Sequence, residues 1–537
     1  MGYIDVAGLR FALPGGRVLF DDLSLRVPSG AHVALVGANG VGKTTILRLL
    51  AGHERPQDGV IKVDGKLGYM PQFVGTFGAS TTVRDFLLSF AAPGLRRADE
   101  ALRRAERIVA GPHGQAAQLR YADAIAAWGE AGGYDAEVLW TTCTTKALGE
   151  PLEVVAQRRL STLSGGEQKR LALEAFFRSD ASVLLLDEPD NFLDIVGKRW
   201  LEQSMRELRK TILYVSHDRA MLAATADAIV TLEGRSAWTH SGPFSTYTAA
   251  RQRRLEKIEE ETRRYKEKHA HIMAQIADFK RRAAYNDKFA TRLSSARKKL
   301  ARHEQDNAPR QRPRDQQVRM NLQGGRTGKI ALRVEDLEIP GLVGPFSTEL
   351  YFGERVGVVG PNGSGKSHFL KLLAGEDIAH LGGLRLGARV EPALFSQLHE
   401  RADLEIDRSL VDHLAHEGLA LGGAIATLKR YELHEVGHLP FSLLSGGQQA
   451  RFQILLMEMR NPTMLLLDEP TDNLDIDSAE ALEDALMRYE GTVIVVTHDR
   501  WFMRILDRFL VFDDDGTVSE SLESPYEAAE VLATANS

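Results

Sequence analysis

Gly37-Ala38-Asn39-Gly40-Val41-Gly42-Lys43-Thr44 recurs 323 residues later as Gly360-Pro361-Asn362-Gly363-Ser364-Gly365-Lys366-Ser367. In the first copy a short apolar strand, Ala31 to Val36, precedes the glycines, and Thr45 to Leu50 reads as a helix after them. Strand, glycine loop and helix in that order form a phosphate-binding loop. The glycines let several N–H groups turn toward one point, and the helix N-terminus adds its positive end. Lys43 and Lys366 are placed to reach the β- and γ-phosphates of a nucleotide, and the Thr44 and Ser367 hydroxyls to ligate Mg²⁺. The next position differs, Thr45 against His368, which predicts a different grip on the nucleotide in the two copies.

Three further motifs repeat, all at an offset of 281. Leu163-Ser164-Gly165-Gly166-Glu167-Gln168 returns as Leu444-Ser445-Gly446-Gly447-Gln448-Gln449. Leu-Leu-Leu-Asp187-Glu188-Pro returns as Leu-Leu-Leu-Asp468-Glu469-Pro, and Ser216-His217-Asp218-Arg219 as Thr497-His498-Asp499-Arg500. The first copy therefore holds 42 extra residues before its Leu-Ser-Gly-Gly: Gln72 to Ser164 spans 92 positions, Gln397 to Ser445 only 48. Leu102, Ile108, Val109, Leu119, Ile125 and Trp128 give that region an amphipathic helical pattern. It is either a longer helical subdomain or a docking arm. Each Leu-Leu-Leu-Asp run predicts a buried strand that carries a carboxylate to the ligand-binding edge of a parallel sheet. Asp187 and Asp468 are then Mg²⁺ candidates, and Glu188 and Glu469 candidates to polarise an attacking water. His217 and His498, each after a second apolar strand, can contact the γ-phosphate or orient that water.

At 537 residues the chain has room for about two to four domains. With 43% hydrophobic and 26% charged residues it reads as globular. Its longest apolar runs end in aspartate and fall far short of the ~20 residues of a membrane span. The first residues show no secretory pattern. The single cysteine, Cys143, excludes an intramolecular disulfide, fits a reducing cytoplasm and is expected to be packed and inert. Charge is uneven: Arg251 to Met320 holds 21 Lys and Arg against 10 Asp and Glu, so the rest of a chain of net charge −6 carries −17.

On these motifs the sequence resembles the ATP-binding cassette superfamily, whose signature is Leu-Ser-Gly-Gly. The resemblance implies an α/β fold with two tandem cassettes, 1–248 and 329–537, that pair head to tail within one chain. One composite site would comprise Gly37 to Thr44, Gln72, Asp187, Glu188 and His217, closed by Ser445, Gly446 and Gly447. The other would comprise Gly360 to Ser367, Gln397, Asp468, Glu469 and His498, closed by Ser164, Gly165 and Gly166. Gln72 and Gln397 resemble the family's glutamine loops, which sense Mg²⁺ and the attacking water. Phe11 is a candidate to stack on adenine.

The connector, 249–328, begins as a long charged helix with Leu255, Ile258, Tyr265, Ile272, Ile276 and Phe279 near helical or heptad spacing. A turn is expected around Ala284 to Asp287 and a return helix from Phe289 to His303. Between Arg281 and Leu300 lie seven basic residues and one Asp, which predicts a hairpin with a basic tip. Such a projection suits contact with RNA backbones. Arg281, Arg282, Lys288, Arg292, Arg297, Lys298 and Lys299 are the candidate contacts, with Tyr285 and Phe289 as stacking groups. Two cassettes, this linker and Gly242-Pro-Phe-Ser-Thr-Tyr247 before it resemble the ABC-F proteins. That resemblance implies a cytoplasmic ATPase whose linker enters the ribosomal tRNA exit site and reaches toward the peptidyl-tRNA; the expectation is a translation factor that binds the ribosome with ATP and leaves after hydrolysis, with ribosome-protection antibiotic resistance as the alternative within the family. The ATPase subunit of an exporter is the alternative from another class.

One departure stands out. The first cassette reads Glu188-Pro-Asp190-Asn-Phe192 where family members commonly have Thr and His at positions 190 and 192. The second reads Glu469-Pro-Thr471. An extra carboxylate near the first site is expected to weaken ATP binding there or tune Mg²⁺, and the two sites to hydrolyse ATP at different rates.

Overall fold

The computed structural model describes residues 2–72, 80–110, 115–283, 288–306, 318–396 and 407–526. Each half is built on a six-stranded sheet. In the first half the strand order is Leu67–Met70, Val183–Asp187, Thr211–Val215, His32–Gly37, Ala228–Glu233 and Ser236–His240. The first five strands are parallel and the last is antiparallel. All five residues of Val183–Asp187 are buried, as its unbroken apolar run requires of a strand covered on both faces. The second half repeats the order with Pro392–Phe395, Met464–Asp468, Thr492–Val496, Arg355–Val359, Arg508–Phe512 and Val518–Ser521. An antiparallel three-stranded sheet flanks each core: Val18–Val27, Tyr3–Ala12 and Asp58–Asp64 in one, Val343–Tyr351, Ile330–Ile339 and Leu381–Leu386 in the other.

Most of the 42 extra residues lie in two helices, Pro93–Val109 and Gln115–Glu130, set between Val83–Ser89 and Gly133–Leu148. In the second cassette Leu410–His416 passes to Leu421–Arg430 without them. The inserted pair is pinned to its own subdomain by Arg84, which bonds Asp99 at 2.5 Å and lies over the rings of Trp128 and Trp140. Cys143 is buried beside this cluster.

The linker helix is Phe244–Ala283, 40 residues and so about 60 Å long, and it returns as Lys288–Asp306. It starts earlier than the expected boundary near Ala249: Phe244 and Tyr247 are buried in the first cassette's core and act as its root. Ile272 and Ala296 are buried along the hairpin, and Tyr265 stacks on His303 at 4.5 Å between centroids. Arg281, Arg282, Arg292, Arg297, Lys298 and Lys299 are exposed, with Arg281 and Arg282 both paired to Asp278. The expected turn at Ala284 to Asp287, and the side chains of Tyr285, Lys288 and Phe289, lie outside the described residues. No helix among those described is long and apolar enough to cross a membrane.

Candidate active site

Two clefts lie between the cassettes, of about 620 and 440 Å³. The first is walled by Asn39, Gly40, Gly42, Lys43, Thr44, Thr45, Gln72, Glu188 and His217 of one cassette and Ser445, Gly446 and Gly447 of the other. The second is walled by Asn362, Gly363, Gly365, Lys366, Ser367, His368, Asp468, Glu469 and His498, facing Ser164, Gly165 and Gly166. The head-to-tail pairing has direct contacts. Asn39 donates its backbone N–H to Asp475 and its side-chain amide to the Asn473 carbonyl, and Asn362 donates to the Phe192 carbonyl. A Cβ on Gly447 would collide with the Asn39 side chain across the interface and with the Asn473 carbonyl of its own cassette, so glycine is needed where the signature meets the facing loop.

Local chemistry sets each part. Gly42, at φ 108°, ends the loop and begins the helix Lys43–Leu50, where a side chain would be strained. Ser164 and Ser445 each cap a signature helix through a reciprocal capping box with Glu167 or Gln448. Lys43 and Lys366 fold back on their own loops, onto the carbonyls of Gly37 at 2.8 Å and Gly360 at 2.9 Å. Ala38, Val41, Pro361 and Ser364 complete the two loops; the Ala38 and Pro361 carbonyls also accept from the lysines.

Glu188 and Glu469 both adopt φ of 48°, a left-handed conformation seldom used by glutamate and typical of strain held at functional positions. Burial, reinforced by neighbouring Asp187, pushes Glu188 up to about 7. Burial, with Asp472 and Asp468 beside it, pushes Glu469 well above the usual range. His217 is held neutral, lowered to about 3 by burial and by Lys43, and neither ring nitrogen has a hydrogen-bond partner among the described residues. A neutral imidazole in that position can offer one N–H to a phosphate oxygen.

The residues fit a magnesium nucleotide. Both Asp187 oxygens are buried beside the Thr44 hydroxyl and otherwise have no hydrogen-bond partner among the described residues. Among the described residues no cluster of His, Cys, Asp or Glu could cage a metal alone. Mg²⁺ instead takes one or two carboxylates, water and phosphate oxygens, the set that Thr44 with Asp187, and Ser367 with Asp468, would complete.

Several sequence readings change in three dimensions. Phe11 is not available to adenine: it is buried in the core and packs toward Phe20, while Leu13, Arg17 and Leu19 line the mouth of the first cleft. Asp190 does not line the first cleft. It is buried in the wall of the second, its carboxyl raised to about 6 by burial and by Asp218, with Lys198 opposing the shift. Gln397 lies outside the described residues.

Sequence reasoning missed Asn191, whose amide donates to Glu188 at 2.6 Å alongside Gln72 at 2.5 Å. It also missed Lys169, buried and bonded to the Gln72 carbonyl. The reciprocal ion pairs Arg219–Glu483 and Arg500–Glu202, which cross the interface, were missed as well. Equivalence at the 281 offset was the available signal for these last pairs.

Two glycine loops, each answered by the other half's signature, define a tandem ATP-binding cassette protein. The ABC transporter family profile matches residues 20–191 and 343–472. An antibiotic resistance protein of Mycobacteroides abscessus is 48% identical, over 97% of this chain and 99% of its own. The energy-dependent translational throttle protein EttA of Haemophilus influenzae is 29% identical, over 94% and 91%. Among solved structures, the archaeal ribosome recycling factor aABCE1, in complex with ribosomal stalk protein aP1, superimposes with a TM-score of 0.59 at 21% identity, covering 98% of this chain and 92% of that one. The chain belongs to the ABC-F family of ATP-binding cassette proteins.

Proposed function

We propose that this protein is a cytoplasmic ATPase that binds the ribosome in its ATP-bound, closed state and leaves after hydrolysis. The observation that carries this reading is the trans pairing of each phosphate loop with the other cassette's signature, in a chain that also projects a basic hairpin. ATP in the two clefts would bridge the cassettes, so one chain supplies both halves of the switch. Mg²⁺, when bound, would neutralise phosphate charge. Lys43 and Lys366 would leave their loop carbonyls for the phosphates, while Glu188 and Glu469 would take the proton of the attacking water. His217 and His498 would meet the γ-phosphate.

The linker helices Phe244–Ala283 and Lys288–Asp306 would enter the tRNA exit site and meet ribosomal RNA and tRNA through Arg281, Arg282, Lys288, Arg292, Arg297, Lys298 and Lys299. Ribosome-protection antibiotic resistance is the favoured form of this action, on the 48% identity to a relative named an antibiotic resistance protein. The test sediments a Glu188→Gln/Glu469→Gln variant with ribosomes. Retention with ATP, absent with ADP and weakened by salt, is expected. Normal nucleotide binding without retention refutes the ribosome reading.

A further inference from the structure

At the 281-residue offset the two interface loops and the helices after them, Ile195–Glu207 and Ile476–Arg488, keep Leu193-Asp194-Ile195 and Leu201-Glu202 but differ at most other positions, two of them linked in space. Asp190 stands opposite Thr471, and Lys198 opposite Ala479. Asp190 and Lys198 are both buried, and both line the second cleft. The Lys198 ammonium lies 3.0 Å from Asp218 of its own cassette and donates across the interface to the main-chain carbonyl of His498 at 3.3 Å. Asp190, Asp472 and Asp499 add negative field around it. Four carboxylates with no cation among them could not all stay ionised in a buried site. Lys198 is the cation that all four face, with Arg219 also on Asp499 at 3.4 Å and Arg500 near Asp218, and Asp190 supplies part of the field that holds the lysine.

Among the described residues the two candidate bases are held by different means. Glu188 is clamped by the side-chain amides of Gln72 and Asn191. In the second cleft Asp472 replaces Asn191, and a carboxylate has no N–H to give. Glu469 instead accepts from the backbone N–H of His498 at 3.1 Å, with the His498 ring 3.4 Å away. That is the residue whose carbonyl Lys198 grips from the other cassette. Ala479, at the equivalent place, ends in a methyl and reaches nothing at the first cleft.

We infer that Lys198 is a positioning residue for the second cleft, supplied in trans. It fixes the His498 main chain, and through it Glu469, only when the cassettes are closed, with Asp190 as its buried counter-charge. Catalytic geometry at the second cleft is thereby tied to closure, while the first cleft keeps its amide clamp within one cassette. This rests on the hydrolysis reading above.

The experiment measures kcat and KM for ATP in two parents, Glu188→Gln, which reports the second cleft, and Glu469→Gln, which reports the first. Into each go Lys198→Met, Lys198→Arg and the double change Asp190→Thr/Lys198→Met, which removes one charge of each sign. In the Glu188→Gln parent Lys198→Met should lower kcat at least ~10-fold with KM within about twofold, the mark of lost transition-state geometry. Lys198→Arg should recover most of the rate, because the guanidinium keeps a donor for the carbonyl. The double change should stay slow although the charge balance is restored. In the Glu469→Gln parent all three should remain within about twofold of the parent, since the lysine contributes nothing there. Equal losses in both parents, or full recovery by the double change, would show a charge-balancing role only and overturn the inference. Wild-type protein that hydrolyses no ATP would overturn the hydrolysis reading and this inference together, whereas hydrolysis indifferent to Lys198→Met overturns the inference alone.

Discussion

Arg500→Met should open the protein without unfolding either cassette. Arg500 and its partner Glu202 come from different cassettes, and their side chains are only 11% and 10% exposed. Removing one member of a buried pair leaves the other charge desolvated and typically costs about 3–5 kcal/mol. Because Glu202 regains water as soon as the cassettes part, that cost falls on the closed state alone. At about 1.4 kcal/mol per tenfold, the closed-to-open ratio should fall ~100- to ~5,000-fold. The pseudo-equivalent pair Arg219–Glu483 remains and keeps the register of docking. The assay is fluorescence transfer between dyes on the two cassettes, with ATP titrated into the Glu188→Gln/Glu469→Gln background. The ATP needed for half-closure should rise sharply in Arg500→Met, while thermal unfolding of the separate cassettes holds. Glu202→Gln/Arg500→Met should recover most of the closure, since no charge is left stranded. Closure unaffected by the single change, or no recovery in the double, would refute an interface ion pair as the source.

Separate Glu188→Gln and Glu469→Gln variants should lose unequal shares of ATPase turnover, because among the described residues an amide clamp holds one base and a histidine main chain the other; equal losses would count against unequal sites. Gly447→Val should block closure by displacing Asn39 and by crowding the Asn473 carbonyl of its own cassette, lowering turnover more than ~10-fold; normal turnover would mean the signature does not meet that loop. Trp128→Ala, which empties a site 2% exposed beneath Arg84, should destabilise the first cassette by about 3–5 kcal/mol in a denaturant melt. A loss below about 1 kcal/mol would mean the inserted helices are not anchored there. Neutralising Arg292, Arg297 and Lys298 should flatten the salt dependence of ribosome retention by up to ~3 in the log–log slope; an unchanged slope would place the RNA contact elsewhere.

The sequence by itself determined the cassettes, their duplication and the cleft residues that act within one cassette. Glycine loops, capping boxes and all-apolar strands ending in Asp encode their own geometry over a few residues, so Gly42, Ser164 and Asp187 were legible one motif at a time. The basic hairpin was legible too, because charge density and heptad spacing are local sums. Tertiary structure alone decided what each residue faces. Phe11 looked free to stack on a base until the sheet buried it beside Phe20. Asp190 looked like a neighbour of the first nucleotide because Glu188 is two residues away, yet the chain turns it into the wall of the opposite cleft. Lys198 and His498 are 300 residues apart, and nothing local to either announces the other. A contact made in trans depends on how two finished surfaces dock, and docking depends on the shape of both surfaces, which no short stretch of either one specifies.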